Sequence, residues 1–303
     1  MEASRVGPGR NRRYFSVGIR SQTNHSQSLE TQVNLLPITA IVLTFNEEQN
    51  LSRTLESLKD RVAELIVVDS YSTDKTLEIA SHYAARIIQH EYRSHPDQWK
   101  WILETVDYFH EWILAVDADF YVTPALWNAV EIEFTTRSER ALAGYYVIHR
   151  QVFLSRLLRF GGSRQPWLRL FRRNKVFIDS REWVDVHFNV DGKTKILKQD
   201  VIEDNVKDRN LTLWIEKQNR FSTKAAIEEF ERGNHPKRLV APLSLFGARN
   251  ERIILLKSLW SYTPLFLRSI LYFLWRYFLL LGFLDGWPGL AYHLTQGFLY
   301  RIF

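Results

Sequence analysis

The sequence predicts an α/β fold, a mostly parallel sheet flanked by helices, on three observations. Short apolar runs recur at residues 38–43, 65–68 and 112–116, the pattern of strands buried on both faces. Segments with helically spaced apolar residues separate them. Each run ends in a polar or acidic segment, and open α/β sheets bind ligands outside the carboxyl ends of their strands.

The elements follow in order. Ile38-Thr39-Ala40-Ile41-Val42-Leu43 reads as the first strand and leads into Thr44-Phe45-Asn46-Glu47-Glu48. Leu51, Leu55 and Leu58 then recur at helical spacing. Leu65-Ile66-Val67-Val68 is the next strand and ends in Asp69-Ser70-Tyr71-Ser72-Thr73-Asp74. Residues 76–83 read as a helix, Arg86-Ile87-Ile88 as a strand, and 97–110 as a helix feeding the strand 112–116. Strands alternating with helices imply right-handed βαβ units. Beyond Asp119 the spacing predicts strands at 143–149 and 168–172 around the loop Gly161-Gly162-Ser163, then short strands over 176–200 turning at Asp191-Gly192. Asn210 suits the N-cap of a helix over 211–232.

Composition divides the chain into a tail (1–36), a catalytic-sized domain (37–236) and a basic, aromatic-rich helical region (237–303). The net charge is +6; the first 36 residues carry +3 and residues 237–303 carry +6, leaving −3 for the body. A basic excess confined to the ends argues against a nucleic-acid-binding core. The absence of cysteine excludes disulfides, thiolate metal sites and cysteine nucleophiles. The tail is rich in Arg, Ser, Gln and Asn, and reads as disordered. It has no continuous apolar stretch of the kind a secretory signal needs. In 254–303, Arg268, Arg276 and Asp285 interrupt every long apolar run, which argues against a standard spanning helix. Basic residues among aromatics suit amphipathic helices lying in a membrane interface, with Arg268 and Arg276 at headgroup level. The alternative is a helical hairpin packed on the domain core.

The chemistry concentrates at Asp117-Ala118-Asp119, directly after the third strand. Two carboxylates one residue apart suit a hard divalent cation, and such a cation suits a diphosphate. In order and spacing, Thr44-Phe45-Asn46-Glu47-Glu48, Val67-Val68-Asp69-Ser70-Tyr71-Ser72-Thr73-Asp74-Lys75-Thr76 and Val116-Asp117-Ala118-Asp119 resemble glycosyltransferase family 2, whose members have the GT-A fold. Gln98-Trp99-Lys100-Trp101-Ile102-Leu103 looks like a helix of the same family. The resemblance covers residues 37–130 closely and 140–232 more loosely. It implies a nucleotide-sugar donor, UDP-linked, a Mn²⁺ or Mg²⁺ cofactor and inversion at the anomeric carbon. It also implies that Thr44, Asn46 and Glu48 cradle the nucleotide and that Asp69 reads the base. Asp119 would bind the metal, with Asp117 supporting it near the ribose and phosphate. Tyr71 and Lys75 stand where the family carries Gly, and Phe120 where an acid often follows the paired aspartates.

Direct displacement needs a general base for the acceptor hydroxyl. Arg181-Glu182-Trp183-Val184-Asp185-Val186-His187-Phe188 looks like the family's acidic acceptor-side segment, which makes Asp185 the first candidate and Glu182 the second. The alternative for either is an ion pair with a nearby arginine. Arg164, Arg169, Arg172 and Arg173 suit a diphosphate or an anionic headgroup, with Arg169 placed at the donor; otherwise they are a solvated strand face. His82, His90, His95 and His110 show no metal-ligand spacing.

Three functions remain open at this level. The first is a glycosyltransferase on the cytoplasmic face of the cell membrane, peripheral, acting on a lipid-linked or surface-glycan acceptor such as a lipopolysaccharide core. The second transfers sugar to polyprenyl phosphate, an acceptor that needs no strong base. The third is a non-catalytic nucleotide-binding module on the membrane, against which the three aspartates argue.

Overall fold

The computed structural model describes residues 35–83, 85–178, 186–234 and 263–301. One nine-stranded sheet organises the domain. Its strands are β1 (Leu36–Thr44), β2 (Val62–Asp69), β3 (Arg86–Gln89), β4 (Trp112–Asp117), β5 (Phe120–Val122), β6 (Gly144–Phe153), β7 (Arg156–Leu157), β8 (Gln165–Arg172) and, after the β9–β10 hairpin below, β11 (Thr194–Glu203). The order is β3-β2-β1-β4-β8-β6-β11-β5, with β7 paired to β6. The half from β3 to β4 is parallel. Beyond β4 the sheet is mixed: β8 runs antiparallel to β4 and β6, while β11 runs parallel to β6. A separate hairpin joins β9 (Val176–Ile178) and β10 (Phe188–Val190).

Helices α1 (Leu51–Glu56), α2 (Thr76–His82), α3 (His95–Thr105), α4 (Pro124–Thr135) and α5 (Leu211–Asn234) flank the sheet. The predicted α/β architecture is thus present. Helix α4 has no counterpart in the sequence reading, although Thr123-Pro124 marks its start: the Thr123 hydroxyl accepts from Leu126 N at 3.2 Å and Pro124 opens the first turn. Asn210 caps α5 as expected, its Oδ1 accepting from Thr212 N at 2.9 Å.

Alternate residues of β1 serve two cores. Ile38, Ala40 and Val42 pack with Leu51, Leu55 and Trp127 on one face. Ile41 packs with Ile66, Trp99 and Phe171 on the other. Burial on both faces is why this strand reads as an unbroken apolar run.

Of the C-terminal helices Leu265–Leu274 and Gly286–Tyr292, the second closes a third core, its Ala291 and Tyr292 packing with Phe153, Leu158 and Trp214. Polar ties fix them there. The buried Asp285 carboxylate accepts from the backbone of Arg159 and Phe160 at 2.9–3.1 Å. Trp214 Nε1 donates to Thr295 Oγ1 at 2.8 Å. Gly161, at φ +65°, donates to Leu280 O at 2.8 Å. A Cβ there would lie 2.0 Å from the His293 ring, so only glycine permits both the turn and the contact. Packing on the core, the alternative considered for this region, therefore describes its inner side.

Its outer side is different. Phe266, Leu267, Leu271, Leu274, Trp275, Phe278 and Leu279 are exposed. Among the described residues, no single helix is long and apolar enough to cross a membrane. A pair bent by 70°, Phe266–Leu279 with Gly282–Phe298, meets that length and composition together.

Candidate active site

Strands β1, β2 and β4 end level with one another: Thr44 lies beside Asp69, and Leu43 beside Asp117. A cleft of about 840 Å³ opens past the end of β4. Asp117, Asp119, Arg169 and Glu203 line it, with Tyr272, Arg276 and Tyr292 of the C-terminal region on its wall.

Asp117 is half-buried and paired. Its Oδ2 accepts from Arg169 Nη2 at 3.1 Å, and His95 Nε2 lies 3.5 Å from Oδ1. Burial alone would raise its pKa, but the Arg169 charge and His95 outweigh that and hold it well below the usual carboxylate range. Arg169 itself is buried on β8, and its Nη1 has no hydrogen-bond partner. A buried guanidinium with a spare donor on a cleft suits an oxyanion.

Asp119 has the opposite electrostatics. Asn205 Nδ2 donates to its Oδ2 at 3.0 Å. Burial and the neighbouring Glu203 push its pKa up, above the usual carboxylate range. Glu203 stays ionised: burial would raise its pKa, but the His149 hydrogen bond and the Lys217 charge hold it down. His149 Nε2 lies 2.9 Å from Glu203 Oε2, and Gln151 Nε2 donates to Oε1 at 3.2 Å. His149 in turn stacks flat on Trp167, with ring centroids 3.7 Å apart. Of the two carboxylates, Glu203 keeps its charge and Asp119 is the one that takes up a proton more readily.

Glu203 and His149 were not singled out as site residues in the sequence. The parallel register of β11 on β6, Val201 beside His149 and Glu203 beside Gln151, brings them together. His95, given no role in the sequence reading, stands beside Asp117.

The two loops after β1 and β2 are bonded to each other. Asn46 Oδ1 accepts from Thr73 N at 2.9 Å, Glu48 Oε2 from Lys75 N at 3.2 Å, and Glu48 N donates to Asp74 Oδ2 at 3.1 Å. Asp69 is fully buried, and accepts from Thr44 Oγ1 at 3.0 Å, Ser72 N at 2.9 Å and Gln89 Nε2 at 3.2 Å. Of these loops only Glu47 lines the cleft. As placed, Thr44, Asn46, Glu48 and Asp69 shape the loops rather than present side-chain oxygens to the cleft. The level strand ends put the two loops within bonding range of each other. Tyr71 takes φ +60°, the left-handed conformation that glycine adopts freely, at a cost of about 1 kcal/mol.

Asp185 and Glu182 lie outside the described residues. Phe188, just beyond them, is a core residue, meeting Trp99 edge-on at 5.1 Å. The four arginines do not form one cluster. Arg164 pairs with Asp200, Arg172 with Glu111, and Arg173 lies over Tyr108; Arg169 alone of the four lines the cleft.

The model of the family Glycosyl transferase family 2 matches residues 39–204, from β1 through the site to the residue after Glu203. The chain belongs to glycosyltransferase family 2. A protein of Rickettsia bellii described as an uncharacterized glycosyltransferase is 27% identical over 206 residues, 66% of this chain and 69% of that one. The lipopolysaccharide core biosynthesis glycosyltransferase LpsC of Rhizobium meliloti is 28% identical over 210 residues, 67% of this chain and 75% of that one. Among solved structures, glucosyl-3-phosphoglycerate synthase from Mycobacterium tuberculosis, in complex with Mn²⁺, uridine diphosphate and phosphoglyceric acid, aligns at a TM-score of 0.42. It is 16% identical, over 66% of this chain and 79% of that one. This family 2 glycosyltransferase therefore carries its acidic centre within the matched segment and borrows the facing wall from beyond it.

Proposed function

We propose that this glycosyltransferase moves a sugar, with inversion, from a nucleoside-diphosphate sugar to a lipid-linked or surface-glycan acceptor. The donor is UDP-linked on this reading, and the work is done at the cytoplasmic surface of the cell membrane. The carrying observation is the cleft past β4, where Asp119 and Glu203 stand beside the Asp117–Arg169 pair. The relative named for lipopolysaccharide core biosynthesis supports the acceptor class.

The residues fit a hard divalent cation, Mn²⁺ or Mg²⁺. Among the described residues no three acidic or histidine side chains form a complete ligand set. Asp119, with Asp117 behind it, would supply one or two carboxylates, and Mg²⁺ typically takes the rest from phosphates and water. When bound, the cation offsets the charge that develops on the departing diphosphate. Arg169 holds Asp117 through Nη2, leaving Nη1 for a phosphate oxygen. Glu203 lines the cleft as a carboxylate, so it joins Asp185 and Glu182 as a candidate base for the acceptor hydroxyl.

A panel of nucleotide sugars, offered with Mn²⁺ and a membrane lipid extract, tests this reading. Label from one donor should enter the lipid phase, and a chelator should stop it. Absence of transfer, together with no calorimetric binding of UDP with or without Mn²⁺, overturns it.

The exposed apolar face supports peripheral membrane contact. Arg276, expected at headgroup level, instead points inward and donates from Nε to Gly161 O at 2.6 Å. Phe278 and Leu279, 52% and 67% exposed, face out. Truncating the region would uncover Trp214 and Phe153, so substitution is the better probe. Phe278→Ser with Leu279→Ser is expected to lower flotation with anionic vesicles by roughly tenfold or more, since burying one such side chain is worth ~1.5–3 kcal/mol. Unchanged flotation removes this face from membrane contact, and protease protection of the C-terminus would indicate a re-entrant pair.

A further inference from the structure

We infer that Arg276 is the anion-reading residue of the acceptor subsite, so that the acceptor carries a phosphate or carboxylate close to the hydroxyl that is glycosylated. The inference rests on the reading above, in which the acidic end of the cleft takes the donor.

The cationic side chains of the cleft are paired with carboxylates, with one exception among the described residues. Arg169 is paired with Asp117 at 3.1 Å. Lys217 is paired with Asp208 at 3.0 Å and lies 3.9 Å from Glu203. Arg276 lines the same cleft, and among the described residues no carboxylate lies within ion-pair distance of it. A half-buried guanidinium without a counter-charge is costly unless something else supplies one.

The group is also held in place. Nε donates to Gly161 O at 2.6 Å, and the guanidinium carbon lies 5.6 Å and 5.7 Å from the centres of the Tyr272 and Tyr292 rings. Nη1 makes one long contact, 3.4 Å, to Tyr272 Oη. The fork is thus fixed by one edge, with weaker hydrogen bonds to the Tyr272 and Tyr292 hydroxyls, and no carboxylate takes its charge. That is how a planar, bidentate oxyanion reader is pre-positioned.

The donor does not need this charge. On the reading above, its diphosphate would be met by Arg169 and by the cation that Asp119 would hold, on the strand side of the cleft. Arg276 comes from the C-terminal wall. A hydrogen-bonded path joins that wall to the acidic end: Tyr292 Oη donates to Gln151 Oε1 at 2.8 Å, and Gln151 Nε2 donates to Glu203 at 3.2 Å. An anion on Arg276 would therefore seat its carrier against the wall that is tied to Glu203.

The test uses inorganic phosphate as the probe on full-length protein already saturated with UDP and Mn²⁺. Calorimetry should show phosphate binding to this complex. Arg276→Gln should weaken it at least tenfold, and Arg276→Lys, which keeps the charge, should recover most of it. Steady-state assays with the lipid extract should show the same ranking in acceptor KM. Removing phosphate from the extract with a phosphatase distinguishes the sources: loss of acceptor activity marks a phosphate, retention a carboxylate. The proposal fails if the saturated wild-type complex binds no phosphate, or if Arg276→Gln binds it normally. It also fails if both variants lose phosphate together with a lowered Tm, which marks a docking role alone. A fall in UDP affinity in Arg276→Gln would assign the residue to the donor instead. Failure of wild-type protein to bind UDP at all would strike the underlying reading, and is seen in the first titration.

Discussion

Asp119→Ala should cut sugar transfer by about 10³-fold or more and leave the protein folded. A cation on a diphosphate leaving group is worth several kcal/mol, and each 1.36 kcal/mol is a factor of ten in rate. The fold should not suffer, for an electrostatic reason. Burial and Glu203 raise the Asp119 pKa in the folded chain. A carboxyl whose folded pKa exceeds its unfolded one favours the folded state only while protonated, and it costs stability as pH rises past its ordinary value. Alanine escapes that cost, so Tm near neutral pH should hold or rise, less what Asn205 loses as a partner. Product analysis, Mn²⁺-dependent UDP titration and a thermal melt decide the matter. Near-normal transfer by a folded Asp119→Ala protein would remove the residue from the reaction.

Glu203→Gln should bring the next largest loss, roughly 10²-fold in turnover, the usual worth of a general base. The substitution keeps the shape and removes the charge. Two roles separate cleanly in the readout. A slow variant with intact Mn²⁺-dependent UDP affinity marks a base; a slow variant that needs far more Mn²⁺ marks a residue that serves the cation. Asp185→Asn and Glu182→Gln belong in the same series. If Glu203→Gln turns over normally and Asp185→Asn does not, the base lies in the acidic segment that the sequence singled out.

The parts of this molecule that were legible in sequence are those where local pattern and burial coincide. Strands β1, β2 and β4 are buried on both faces, so their apolar runs are continuous. The Asp117-Ala118-Asp119 position followed from a strand ending at a known edge. Glu203 and His149 were given no site role because only tertiary pairing brings them to the cleft. Thr194–Glu203 mixes Lys, Gln, Asp and Ile, and it is strand pairing, with β6 on one side and with Phe120 of β5 on the other, that brings Glu203 to Asp119. Asp69 was readable as important but not as buried, since its partners Ser72 and Gln89 come from a turn and a neighbouring strand. Arg276 misled for a different reason. A charge in an apolar amphipathic stretch suits a headgroup and a cleft equally well. The π-helical turn Trp275–Leu279 also shifts the helical phase there, so spacing alone could not say which side it faces.

That helix has two occupied sides. Arg276 and Leu280 line the cleft, Leu271, Leu274, Phe278 and Leu279 line an apolar groove on the outside, and Tyr272 and Trp275 border both. On the membrane reading proposed above, one turn of polypeptide separates the lipid from the reacting groups. An acceptor anchored in that lipid would not have to be lifted out to be modified. The enzyme would then behave as a two-dimensional catalyst. Its speed would follow the mole fraction of acceptor in the surface rather than its bulk concentration, and inert lipid would act as a diluent of substrate.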